Sequence, residues 1–170
     1  MNEADYLNLM AENQERLQRI CRFYCRDIEA QKDLMQEIAF QIWRSRERYR
    51  GEAQLNTWLY RIGINTALVF LRKQKKREMQ RLDEKPPMPA VGGNPEEELE
   101  RQERMELLMQ AIKQLKKLDQ SIILLYLEEL SYQEIAKVTG LSESNVGVKI
   151  NRIKKRISQH LKNITAYELR

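Results

Sequence analysis

The residue types that carry nucleophilic, redox or metal chemistry are scarce in this chain. His160 is the single histidine, so a Ser-His-Asp or Cys-His relay would have to be built around one imidazole. It stands between Gln159 and Leu161 in a terminal helical pattern, where a solvated or capping role is the simpler expectation. Cys21 and Cys25 lie four apart on one helical face. A zinc site would need two further ligands, and an i,i+4 pair on a helix is poorly aimed for a disulfide. Half-buried structural thiols in a reducing cytosol are expected, with no catalytic residue, no metal site and no cofactor. What the chain does carry is a run suited to reading nucleic acid. Ser144, Asn145, Val148, Lys149, Asn151, Arg152 and Arg156 fall on the outer side of one helical pattern. Asn151 can pair bidentately with adenine, Val148 can touch a thymine methyl, and Lys149, Arg152 and Arg156 suit phosphates or guanine.

The charge distribution points the same way. The chain has 170 residues, 32% of them charged, and a formal net charge of +5. Neither half is uniformly basic, so the charge is local. Arg72, Lys73, Lys75, Lys76, Arg77 and Arg81 form one basic block, and Lys149, Arg152, Lys154, Lys155 and Arg156 form another. An acidic stretch, Glu96, Glu97, Glu98, Glu100, Glu103 and Glu106, lies between them. Two basic blocks in separate modules suggest two contacts along a polyanion. The longest strongly apolar run is Ile122 to Leu127, far short of the roughly 20 residues of a membrane span. The opening MNEADYLNLM has no basic region followed by an apolar stretch, so neither a secretory signal nor membrane insertion is expected, and the cytoplasm is the expected location.

The elements that position these residues are helices. All four prolines and a Gly-Gly pair fall between Leu82 and Glu98, which predicts a linker over 83–98 between modules 1–82 and 99–170. The expected fold is all-α, two small helical domains on a flexible linker. In the first, helices are predicted from about Glu3 to Arg26 (apolar set Leu7, Met10, Leu17, Ile20, Tyr24) and from about Gln31 to Arg46 (apolar stripe Leu34, Ile38, Ile42 and Met35 or Trp43). A third is predicted from about Leu55 to Arg77, with Leu55, Trp58, Leu59, Ile62, Leu68 and Leu71 as its apolar set. In the second, Met105, Leu108, Ile112 and Leu115 mark one helix and Ile122 to Leu130 another. Ser131 and Glu134 then fit a capping box, Gly140 a left-handed stop and Ser142 a new N-cap. Val146, Ile150, Ile153, Ile157 and Leu161 give the last helix a continuous stripe. Helix, short turn and basic helix in this order make a helix-turn-helix, whose second helix fits a major groove.

Taken together these segments resemble the bacterial RNA polymerase sigma factors of the small, extracytoplasmic-function type, over most of the chain. Asp33-Leu34-Met35-Gln36-Glu37 resembles the family's DLxQE segment, which implies that Asp33, Leu34, Gln36 and Glu37 meet core polymerase. Tyr49-Arg50-Gly51-Glu52-Ala53, then Thr57-Trp58-Leu59-Tyr60-Arg61-Ile62 and Asn65, resemble the region that recognises the promoter −10 element. The resemblance implies −10 contacts from Tyr49, Arg50, Gly51, Glu52, Trp58, Arg61 and Asn65, with Arg72 and Lys73 tracking upstream phosphates. Trp58 and Tyr60 fit either a stacking surface or the helical core. Leu130 through Arg156 resembles the region that reads the −35 element. The implied partners are core RNA polymerase (β′ clamp and β flap), promoter DNA and a dedicated anti-sigma factor. Gly147 and Val148 depart from the Lys or Arg and Ser common there, and Leu118-Asp119 replaces a common Leu-Pro. Glycine in a helix costs roughly 1 kcal/mol relative to alanine, which suggests a close approach of backbone to DNA. The reading from another class is a standalone helix-turn-helix regulator with an N-terminal interaction domain, which would not need the Asp33–Glu37 and Arg50–Asn65 segments.

Overall fold

The computed structural model describes residues 2–49, 55–78 and 95–168, and among the described residues the regular structure is entirely helical. The chain divides into two compact units, Met1–Met88 and Pro89–Arg170. Most of the segment expected as a linker, residues 83–94, lies outside the described residues, and residues 95–98 belong to a helix.

The first unit is built from α1 (Glu3–Tyr24), α2 (Ile28–Ser45) with a short 3-10 turn at Arg46–Arg48, and α3 (Leu55–Glu78). Asn2 caps α1 reciprocally. Its side chain accepts from the Asp5 amide at 2.8 Å, and the Asp5 carboxylate accepts from the Asn2 amide at 3.1 Å. Asp27 opens α2 by accepting from the Ala30 amide at 2.8 Å, the usual work of an N-cap carboxylate. The cap places the start of α2 at Ile28, ahead of the Gln31 expected from apolar spacing. Gln31 instead ties the connection, donating from its side-chain amide to the Cys25 carbonyl at 3.0 Å.

Leu17, Ile20, Leu34, Ile38, Ile42 and Leu59 are fully buried between these helices. Leu9, rather than Leu7, extends the stripe of α1, since Leu7 is 59% exposed. On α3 the core face also differs from the expected one. Thr57, Leu59, Tyr60, Ile64 and Ala67 are buried, whereas Trp58, Ile62, Leu68 and Leu71 are half-buried. The cause is close packing of α1 on α3. A Cβ on Gly63 would lie 2.8 Å from Ile20 Cδ1. Gly63, with no side chain to hold the helices apart, therefore permits the contact, and Leu59, Tyr60 and Ile64 are the large residues of α3 that are buried.

The second unit comprises α4 (Pro95–Lys113), α5 (Lys117–Leu127), α6 (Tyr132–Thr139) and α7 (Glu143–Glu168). Ile112, Ile122, Leu125, Ile135, Ile150 and Ile153 are its fully buried large side chains. Met105 is 54% exposed, and Leu115 is buried beyond the end of α4. In the turn that holds Leu115, the Gln120 side-chain amide donates to its carbonyl at 2.9 Å. Helix α5 ends earlier than expected, in a Schellman motif without glycine. The Leu130 amide donates to the Leu125 carbonyl, and the Glu129 amide to the Tyr126 carbonyl, both at 3.1 Å. Glu129 therefore sits at φ 62°, a left-handed conformation that L side chains rarely adopt.

Among the described residues no helix is long and apolar enough to cross a membrane, and no group of three or more His, Cys, Asp or Glu could hold a metal ion.

Two outcomes test this packing. Glu129→Gly removes the left-handed strain and is expected to stabilise the chain by about 1 kcal/mol in thermal melts; an unchanged or lower midpoint would contradict the strained cap. Cys21 and Cys25 are both buried, more fully than the half-burial expected. Burial, reinforced by the neighbouring Cys25, pushes the Cys21 thiol up to about 12, and burial beside Asp27 pushes Cys25 up to about 11, because a buried thiolate loses its hydration. Both groups therefore stay protonated in the folded chain through about pH 9, where unfolded thiols ionise. Iodoacetamide at about pH 8.5, near the ordinary thiol pKa, is expected to label neither until denaturant is added; rapid labelling of the native chain would contradict the burial.

Candidate functional site

Local hydrogen bonds mark the boundaries of the helix-turn-helix. Ser131 Oγ accepts from the Glu134 amide at 3.2 Å, and the Glu134 carboxylate accepts from the Ser131 amide at 2.8 Å and from its hydroxyl at 2.7 Å. These bonds hold the Glu134 carboxyl below its usual range, since they favour the charged form. Helix α6 ends where the Gly140 amide donates to the Ala136 carbonyl at 2.8 Å, with Gly140 at φ 77°. At such an angle glycine carries no Cβ penalty. Two residues later Ser142 caps α7, its Oγ accepting from the Asn145 amide at 3.3 Å.

Val146, Ile150 and Ile153 are buried to within 1% of their surface, which fixes the rotation of α7. Ser144, Asn145, Val148, Asn151, Arg152 and Lys155 consequently face solvent, as helical spacing requires of the side opposite the core. Gly147 has a neighbour within the unit. A Cβ there would stand 3.4 Å from Cε2 of Tyr132, ordinary contact with the ring that opens α6.

The cations of this helix are not equivalent. Lys149 Nζ donates to Asp119 Oδ1 at 2.8 Å, and Arg156 Nη1 lies 3.9 Å from Asp119 Oδ2. The Asp119 side chain is only 9% exposed. It sits in the first turn of α5, where the helix dipole favours a carboxylate. Lys154 Nζ donates to the Tyr126 hydroxyl at 2.7 Å and lies 4.2 Å from that ring's centroid, within cation–π range. Arg152 is exposed on the outer side.

In the first unit, Asp33 and Gln36 are exposed on α2 and Glu37 is half-buried, accepting from the Gln41 side-chain amide at 2.8 Å. Leu34 belongs elsewhere. It is fully buried, so it holds α2 to the core and is turned away from any partner surface. The three polar residues line a groove of about 670 Å³ whose opposite wall comes from α3, with Asn65, Thr66, Val69 and Lys73. Phe40 and Phe70 also line it, and Phe40 is 55% exposed. Two motifs that are far apart in sequence thus border one groove. Spacing along each helix marks the polar members; no local pattern pairs the two helices, so the sequence carries no signal for the phenylalanines.

At the other end of the unit the Tyr49 and Trp58 rings lie 4.9 Å apart and tilted by 43°. Arg61, Asn65, Arg72 and Lys73 are exposed along α3. Tyr60 is 2% exposed beneath the Arg16 guanidinium, which settles it as core rather than a stacking surface. Arg50, Gly51 and Glu52, like Arg81 of the basic block, lie outside the described residues, as do the side chains of Lys76 and Arg77.

Comparison with known proteins matches both units. A family model described as Sigma-70 region 2 matches residues 9–77, and one described as Sigma-70, region 4 matches residues 105–157. An ECF RNA polymerase sigma-E factor of Haemophilus influenzae is 33% identical over 138 residues, 76% of this chain and 73% of that protein. The RNA polymerase sigma factor YlaC of Bacillus subtilis is 29% identical over 136 residues, 79% of each chain. Among solved structures, the sigma factor RpoE in complex with the anti-sigma factor NepR from Bartonella quintana has a TM-score of 0.71 at 17% identity. That likeness covers 93% of this chain and 97% of the other, and at this identity it speaks for the fold. Region 2 followed by region 4, together with a relative one-third identical along most of its length, makes this chain a member of the ECF RNA polymerase sigma factors, the subunits that direct polymerase to promoters.

Proposed function

We propose that the second unit docks α7 in the major groove of a −35 element while the first binds core polymerase and holds the opened −10 strand. The observation that carries this reading is the outer side of α7. A capped, glycine-turned helix pair presents Ser144, Asn145, Val148, Asn151 and Arg152 together, with the opposite side of the helix in the core. Such a surface supplies amide, methyl and guanidinium groups to base edges, each good contact being worth about 1–3 kcal/mol of discrimination. Arg156, further along α7, is placed for phosphate.

In the first unit, Asp33, Gln36 and Glu37 give α2 a polar, acidic surface suited to basic residues of the β′ clamp. Asn65, with donor and acceptor on one side chain, reads a −10 base. The tilted Tyr49–Trp58 pair offers a stacking surface to the opened strand, the Arg50–Glu52 motif takes up a base drawn from the stack, and Arg61, Arg72 and Lys73 follow the phosphates. Residues 83–98 connect the two grips and thread polymerase between them, their acidic end mimicking nucleic acid in a basic channel. The β flap is the expected neighbour of the second unit. The chain has no catalytic role of its own, phosphoryl transfer belonging to polymerase, and it works in the cytoplasm. An anti-sigma factor is a further partner; RpoE, a sigma factor of similar fold, is seen in complex with the anti-sigma factor NepR.

Transcription by purified core polymerase with this chain, on a randomised promoter library, tests the whole reading. Start sites sharing two spaced elements are expected; no transcript above core polymerase alone would refute it. Within that assay Asn65→Ala is expected to change the preferred −10 bases with polymerase binding intact, and lost binding would reassign the residue. The pair Asp33→Lys with Glu37→Lys is expected to weaken polymerase capture at least tenfold; unchanged capture would remove α2 from the interface.

A further inference from the structure

The family reading treats the cations of α7 as one basic surface, but the structure separates them. Lys149 lies three residues after Val146 and four before Ile153, on the edge of the helix that faces α5 rather than solvent. Its ammonium is 2.8 Å from a carboxylate whose side chain is 9% exposed, and its own side chain is only 33% exposed. Arg156, seven residues on and on the same edge, reaches within 3.9 Å of the other oxygen while remaining 60% exposed. A carboxylate this deeply placed needs compensation for its lost water. The N-terminal amides of α5 supply part of it and Lys149 supplies the ion pair. A phosphate drawing Lys149 away would leave Asp119 buried without its closest partner and beside a second anion.

We propose that Asp119 is a positioning residue for promoter reading. It holds Lys149 as a strut between α5 and α7, so that Lys149 fixes the helix and contributes no phosphate contact. The arrangement limits the sequence-blind charge offered to DNA and leaves discrimination to the outward side chains, with Arg152 as their principal cation. This rests on the −35 reading above and adds to it a division of labour between two cations three residues apart.

The test uses full-length chain in reconstituted holoenzyme, on a promoter selected from the randomised library and on the same fragment with its −35 element scrambled. Affinity for each is measured across a salt series. Loss of one phosphate contact lowers the slope of log affinity against log salt by about 0.9. Arg152→Met is expected to lower it by that amount, or to lose discrimination between matched and scrambled DNA. Lys149→Met is expected to change the slope by less than about half as much while lowering the melting temperature. Asp119→Asn releases the ammonium and is expected to steepen the slope by up to about 0.9, tightening scrambled DNA more than matched. Should the single variants fold poorly, Asp119→Leu with Lys149→Met removes both charges and is expected to restore the melt with the parent slope. Equal losses of slope in Lys149→Met and Arg152→Met would overturn the proposal. So would an Asp119→Asn variant with unchanged slope and discrimination, or a pair variant with the slope reduced by a full contact. If instead Arg152→Met changes neither slope nor discrimination, the −35 reading itself fails, whatever the other variants do.

Discussion

One apolar seam governs what this protein can show to DNA. Val146, Ile150 and Ile153 recur at helical spacing and lose essentially all their surface, so α7 has a single permitted rotation about its axis. At roughly 25 cal/mol per Å² of apolar surface, burying each such side chain contributes on the order of 1.5–3 kcal/mol. Turning the helix would forfeit several of these contributions together. The identity of the exposed set follows directly. So does the position of Lys149, which lies too close to the seam to project freely and meets the carboxylate of α5 instead. The capping hydrogen bonds of Ser131, Gly140 and Ser142 fix where α6 stops and α7 starts; the seam fixes which way α7 faces.

The first unit solves a related problem with small residues. Gly63 lets α1 approach α3 closely over Ile20, and that contact sets the azimuth of α3 so that Arg61, Asn65, Arg72 and Lys73 are exposed. Because α2 packs on the same core through Leu34, Ile38 and Ile42, its acidic side borders α3 across one groove. In the function proposed above, a surface for a protein partner and one for nucleic acid would therefore share walls. Each unit presents recognition side chains on a rigid helix whose opposite side is core, the arrangement that holds such groups with least loss of entropy on binding.

Much of this was legible from residue order. The capping box, the glycine stop and the serine restart are local chemistry written into consecutive residues, and the seam of α7 is a strict three-and-four pattern. The helical class and the outward side of α7 follow from those signals. What escaped has physical reasons. The core side of α3 is phased by the close approach at Gly63, with Leu59, Tyr60 and Ile64 buried, while apolar spacing gives weight to large residues such as Trp58 and Leu68. Helix α5 stops at Leu127, and the left-handed residue beyond it is Glu129, with no glycine to announce the end. Leu34 is a different case: it sits inside a polar motif whose Asp33 and Gln36 are exposed, yet its phase with Ile38 and Ile42 marks it for the apolar stripe of α2, and there it is buried. The Asp119–Lys149 pair joins residues thirty positions apart, and no local pattern signals a long-range ion pair. The position of Lys149 beside Val146 and Ile153 was nevertheless a clue that its charge is not presented like that of Arg152.

The orientation of α7 is tested most directly by placing single cysteines from 144 to 156 in the full-length chain and measuring thiol reactivity, with and without core polymerase and promoter. Positions 144, 145, 148, 151, 152 and 155 should react quickly in the chain alone, and those among them that meet DNA should become protected in the promoter complex. Positions 146, 150 and 153 should be slow in both states. Uniform reactivity along the helix, or DNA protection centred on the second group, would contradict the account.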